Sequence, residues 1–163
     1  MSNRAKTQPL TQSDLSVLGD VLEFMRLLWG VDHGLQTASK RMESELGVTG
    51  PQRLAIRIVG RFPGISAGQL ARVLSVHPST LTGILKRLES RDLVLKKSDP
   101  QDARRVLLHP TTKGKEMEPI VEITTEAAVT RALARLQPDD VAACRRVLET
   151  LIDELGGSET DGE

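Results

Sequence analysis

The chain has 163 residues, 39% hydrophobic and 27% charged, which suits one domain with a real core and helical extensions. No apolar run reaches the ~18 residues of a membrane span. No signal core is expected after Met1–Pro9, and the lone cysteine, Cys144, excludes an internal disulfide framework. A cytoplasmic location and a reducing compartment are therefore expected. The net charge of zero conceals an asymmetry. Between Arg53 and Lys115, thirteen Lys/Arg stand against four acids, a net +9, and the rest of the chain carries −9. A basic middle between acidic ends is an electrostatic footprint that suits nucleic acid, although a solvated basic face reads the same way.

Residues 1–12 are expected to be a flexible segment. Ser13 can cap a helix running to about Leu46, with Asp14 in its first turn and Leu15, Leu18, Val21, Leu22, Met25, Leu28, Trp29 and Leu35 near helical spacing. At 1.5 Å per residue it spans ~50 Å, too long to bury one face on a small domain alone, with Gly30 and Gly34 as points of bending. Thr49 and Gln52 have capping-box spacing around Pro51, and the helix they start carries Leu54, Ile56, Ile58 and Val59 before stopping at Pro63-Gly64. Ser66 and Gln69 repeat the spacing ahead of Leu70, Ala71, Val73 and Leu74. After a short turn, Ser75–His77, Pro78 opens a helix to about Arg91 with Leu81, Ile84, Leu85 and Leu88 on one face.

Leu93–Lys97 and Arg105–His109 are short and extended in character, and the polar loop between them makes a hairpin. The sequence then predicts one helix from Thr111 or Thr112 to about Leu136, kinked near Pro119. A last helix from Pro138-Asp139-Asp140 bears the stripe Val141, Cys144, Val147, Leu148, Leu151, Ile152 and Leu155. Residues 156–163 are expected to form a disordered acidic tail.

Helix, short turn, helix and hairpin in this order describe a mainly α fold with a small β-hairpin wing, a winged helix-turn-helix. The second helix of such a pair lies in the major groove with its N-terminal residues at base edges. Ser79, Thr80 and Thr82 are the candidate base and phosphate contacts there, with Lys86, Arg87 and Arg72 as cationic DNA contacts. Arg104 at the hairpin tip suits a minor groove, held extended by Asp102. The plainer alternatives are a solvated helical hairpin and a surface ion pair worth ~0–1 kcal/mol.

The stretch from Leu93-Val94 through Asp99-Pro100-Gln101-Asp102-Ala103-Arg104-Arg105-Val106-Leu107-Leu108 to Thr111-Thr112-Lys113-Gly114 resembles the signature of MarR-type regulators. Their wing reads roughly Asp-x-x-Asp-x-Arg, then an apolar strand, then Leu-Thr-x-x-Gly. Leu70-Ala71, Thr80-Leu81-Thr82 and Leu85 to Val94 resemble the family's helix pair and strand entry, so the match covers Ile65–Gly114. The chain departs from the pattern at Ala103, where many members have a second arginine, at Pro110, where leucine is usual, and at Asp92, where glycine is commoner.

The resemblance implies a homodimer, with residues 13–48 and 115–155 as its helical dimerisation region and residues 49–114 as the DNA-binding lobe. It implies a transcriptional regulator acting on a pseudo-palindromic operator in double-stranded DNA as a ligand-responsive repressor. Many relatives take a small phenolic or otherwise anionic effector between the dimer helices and the lobe, for which Trp29, His33 and Arg57 are the candidates here. Trp29 reads equally as core, His33 as a structural or surface histidine, and Arg57 as part of the basic face.

Cys144 reads as a buried, inert thiol, with a redox switch as the alternative. A winged-helix protein-interaction module without DNA binding is the other alternative, motivated by Ala103 and the neutral net charge. No enzyme is expected: His33, His77 and His109 lie in separate elements without metal-ligand spacing, and no phosphate loop or nucleophile elbow is present. No cofactor or metal is expected either.

Overall fold

The structure is a computed structural model and describes residues 18–102, 105–119 and 121–156. The chain divides between Thr37 and Ala38 into two units. Helix α1, Gly19–Leu46, runs through this division. In the first unit most of its apolar positions are exposed, among them Val21, Leu22, Leu27, Trp29 and Val31. Arg26 donates two hydrogen bonds to the Glu23 carboxylate one turn back and so holds that carboxyl below its ordinary range. The expected cap Ser13 lies outside the described residues. None of the helices described is long and apolar enough to cross a membrane.

In the second unit the capping signals act as the spacing predicts. Helix α2, Gly50–Arg61, starts where the Thr49 N–H donates to Gln52 Oε1 at 3.2 Å, with Pro51 in the first turn. Ser39 Oγ, on the last turns of α1, accepts from the Gly50 N–H at 2.8 Å. Strand β1, Ile65–Ser66, leads into α3, Ala67–Val73, through a full capping box: Gln69 N–H donates to Ser66 Oγ, and Ser66 N–H donates to Gln69 Oε1. Helix α4, Pro78–Ser90, follows a turn in which Ser75 adopts a φ of 51°.

Strands β2, Val94–Ser98, and β3, Val106–Pro110, pair antiparallel from Val94↔Pro110 to Ser98↔Val106. The wing is therefore present, each strand one residue beyond the expected bounds. It is wider than a hairpin, because β1 pairs with the far edge of β3 at Ile65↔Leu108 and Ser66↔Leu107, giving the order β1-β3-β2. Pro110 lies past the reach of β1, where its missing N–H leaves no gap in that ladder.

Leu70, Leu81, Leu85, Leu88, Leu93, Val94 and Leu108 join Val48, Ala55, Ile56 and Val59 in one buried cluster. The core thus sits between α2, the helix pair and the sheet, and it fixes α4 by its leucine face.

The single helix expected from Thr111 to Leu136 is not observed. It is broken into α5, Thr112–Glu116, and α6, Thr125–Leu133, with an irregular segment between. Each piece has its own N-cap, and the second, at Thr124, competes with continuation of the first. Thr111 Oγ1 accepts from the Gly114 N–H at 2.9 Å, and Thr124 Oγ1 accepts from the Ala127 N–H at 3.3 Å while donating to Val121 O at 2.7 Å. Pro119, expected as a kink, lies in the break, where its lack of an N–H costs nothing. Helix α7, Pro138–Gly156, has no buried residue in the single chain. Cys144 is accordingly exposed, not buried as its place on an apolar stripe suggested.

Candidate nucleic-acid interface

Helix α4 sorts its residues by angle. Leu81, Leu85 and Leu88 are buried, so at 100° per residue Ser79, Gly83 and Lys86 point away from the core. Thr82 lies on one flank of that outward face; Thr80 and Arg87 lie on the other. All of these are exposed. The Thr80–Arg87 flank borders the start of α2, where Thr49, Pro51, Gln52, Thr80, Gly83, Ile84 and Arg87 line a shallow depression of about 330 Å³. A second depression, about 310 Å³, lies between Glu43, Gln52, Arg87, Ser90 and Arg91. Arg72 is exposed in the last turn of α3.

The hydroxyls are less open than their exposure suggests. Thr82 Oγ1 donates to Pro78 O at 2.9 Å, and Ser79 Oγ lies 2.7 Å from Nδ1 of His77. His77 is the N-cap of α4, its Nδ1 accepting from the Ser79 N–H at 3.2 Å. Sequence reasoning missed this role. Asn, Asp, Ser and Thr are the usual N-caps, and His77 stands at the cap position only once the helix is known to begin at Pro78.

In the wing, Asp99 is the organising residue. Its Oδ1 accepts from the Gln101 N–H at 2.9 Å, its N–H donates to Arg105 O at 3.0 Å, and its carboxylate lies 3.7 Å from the Arg105 guanidinium. Asp102 O accepts from the Arg105 N–H at 2.9 Å, closing the loop. Arg104, the residue expected at the minor groove, and its neighbour Ala103 lie outside the described residues.

The basic surface is smaller than the +9 count suggests. Arg53 is buried, donating to Glu126 Oε1 at 2.8 Å, Met117 O at 2.8 Å and Pro119 O at 2.9 Å. Arg57 donates to Glu118 O and stands 3.9 Å from Glu126. Lys96 pairs with Glu89 at 2.7 Å, and Lys113 Nζ donates to Arg91 O at 2.9 Å. Arg72, Lys86, Arg87 and Lys97 keep exposed positions.

Arg57, an effector candidate, is half-buried and makes these contacts within the chain. Trp29 and His33 are both exposed on α1 in the first unit.

The junction between α4 and the wing explains the departure at Asp92. Asp92 has a φ of 56°, a left-handed conformation that glycine adopts at no cost and Asp tolerates better than most residues. Thr111 Oγ1 donates to Asp92 O at 2.6 Å, and Pro110 directly precedes that threonine.

Comparison with known proteins agrees with this geometry. The model of the MarR family matches residues 48–106. An HTH-type transcriptional repressor of Mycobacterium tuberculosis is 30% identical over 125 residues, covering 77% of this chain and 90% of that protein. Two solved structures share the fold. One is Staphylococcus aureus MepR in a DNA complex, with TM-score 0.67 and 19% identity over 81% of this chain and 97% of that one. The other is the PcaV transcriptional regulator of Streptomyces coelicolor with its natural ligand, with TM-score 0.65 and 25% identity over 82% and 92%. With a leucine-packed helix pair, a capped α4 and a three-stranded wing in this order, and a relative matched over nine-tenths of its length, the chain belongs to the MarR family of transcriptional regulators.

Proposed function

We propose that the chain is a homodimeric repressor that binds a pseudo-palindromic operator in double-stranded DNA and releases it in response to a small aromatic or anionic effector. One observation carries the DNA-binding part. Helix α4 is fixed by three buried leucines and presents an exposed polar face flanked by Lys86 and Arg87, beside the paired strands β2 and β3. Ser79, Thr80 and Thr82 are the proposed groove contacts, Arg72, Lys86 and Arg87 the proposed phosphate contacts, and Arg104 the wing contact oriented by Asp102. Exposed apolar residues along 18–37 and along α7 support a dimer, since single soluble chains rarely leave such surface uncovered. The repressor assignment follows the mycobacterial relative, and effector response follows the ligand-bound PcaV.

The test is a salt titration of binding to duplex DNA selected from a random pool. Affinity should fall steeply as salt rises, because each neutralised phosphate releases counterions. No binding at low salt would sink the proposal and favour a protein-interaction module. Arg104→Ala should weaken operator binding while leaving the oligomeric state intact. The thiol-sensor reading is the lesser one: Cys144 shares its helix face with Leu148, Leu151 and Leu155, which the proposed dimer covers. Peroxide treatment should change DNA binding equally in wild type and Cys144→Ser.

A further inference from the structure

We propose that His77 is a DNA-contacting residue, presenting its Nε2–H as a hydrogen-bond donor at the reading end of α4. The inference rests on the DNA-binding role proposed above. It starts from the cap. The Ser79 peptide N–H points at Nδ1 of His77, and a peptide nitrogen can only donate, so Nδ1 must carry a lone pair. The Ser79 hydroxyl, 2.7 Å from the same nitrogen, then donates to it as well. A neutral imidazole whose Nδ1 accepts holds its proton on Nε2, on the far edge of the ring. The cap therefore favours the Nε2–H tautomer and holds the ring plane. His77 is exposed, and its Nε2 has no hydrogen-bond partner among the described residues.

The neighbouring side chains make this donor more significant. The hydroxyl hydrogen of Ser79 is committed to His77, and that of Thr82 to Pro78 O. Gly83, on the outward face, offers no side chain, and a Cβ built there meets nothing within 4 Å. In the first turns of α4, Thr80 and His77 are left as the side chains with a donor to give, and Ser79 and Thr82 can only accept. The helix start is also the part of a recognition helix that reaches base edges. Two acceptors are within the chemistry of an imidazole N–H there, a phosphate oxygen and a purine N7 or O6 in the major groove.

Two substitutions separate the cap from the donor. His77→Asn keeps an acceptor at the position of Nδ1 and withdraws the outer donor, since its amide N–H2 lies on the Cδ2 side and stops short of Nε2; Asn is itself a good N-cap. His77→Gln places an amide donor near the position of Nε2 and loses the cap. With operator and random duplexes titrated at fixed salt, His77→Asn should keep the wild-type melting temperature and lose about tenfold in operator affinity. His77→Gln should melt lower and, well below its melting point, bind more tightly than the Asn variant. Equal loss on operator and random duplex identifies a phosphate oxygen as the acceptor; loss on the operator alone identifies a base. Wild-type binding with an indistinguishable His77→Asn overturns this inference alone. Failure of the wild type to hold any duplex overturns the DNA-binding proposal and this inference with it.

Discussion

Gly114 shows how one residue closes the junction between α5 and the sheet. A Cβ at this position would lie 2.0 Å from the Leu93 carbonyl oxygen, a backbone atom that cannot swing aside. Thr111 fixes the approach from both sides, its Oγ1 accepting from the Gly114 N–H and donating to Asp92 O. The start of α5 is thereby pinned to the residue that opens the wing. Gly114→Ala should force α5 off the strand entry and destabilise the fold by about 2 kcal/mol, within the usual cost of overpacking. Urea unfolding would measure it, and an unchanged midpoint would mean that the contact relaxes freely. The residue pattern Thr-x-x-Gly was legible in the sequence, but its reason was not. Spacing predicts a cap at Thr111, whereas the clash that demands glycine involves a carbonyl twenty-one positions upstream. The hydroxyls of Ser79 and Thr82 show the same limit. Residue type leaves donor and acceptor roles open, and local bonds to His77 and Pro78 use the hydrogens.

Among the elements, α2 holds the segment that leads to the C-terminal helices. Arg53 binds the carbonyls of Met117 and Pro119 together with the Glu126 carboxylate, and Arg57 adds the Glu118 carbonyl. These bonds satisfy backbone acceptors that the break between α5 and α6 leaves without helical partners. The break and the arginines are thus one arrangement. The sequence showed the helix period on both sides of Pro119 and so suggested one helix; the competing cap at Thr124 carries little weight beside that period. Arg53 was counted with the basic surface because a charge tally says nothing of direction, although its place one turn before Ile56 and beside Gln52 on the buried side of α2 was a signal. Arg53→Ala should cost about 3 kcal/mol, since it leaves Glu126 and two carbonyls without their donor. Arg53→Lys should recover only part, because an ammonium lacks the planar fork. Equal unfolding midpoints for the Ala and Lys variants would contradict this account of Arg53.

For the whole molecule, the question is what covers the apolar positions that the single chain leaves bare. The lobe was legible almost element by element, because each of its helices begins at a cap and buries its stripe in one core. Helix α7 was legible as a stripe, but the surface it covers was not, since Leu148 and Ile152 remain about half exposed, at 45% and 49%. That exposure makes a clean test possible. A charge placed at Leu148 disturbs little within the chain itself, so Leu148→Glu should leave the lobe folded, with a melting temperature read at low concentration near that of the parent. In the proposed dimer the same carboxylate would be buried without a partner, and the cost should shift the protein toward monomer. Two recognition helices spaced by one DNA turn of ~34–36 Å act together on an operator only while the dimer holds. Operator affinity should therefore fall with dimerisation, and much further than affinity for random duplex. Sedimentation equilibrium alongside DNA titration reads both quantities. A Leu148→Glu variant that stays dimeric would place the interface elsewhere, and a wild-type monomer at micromolar concentration would remove the two-fold operator from the proposal.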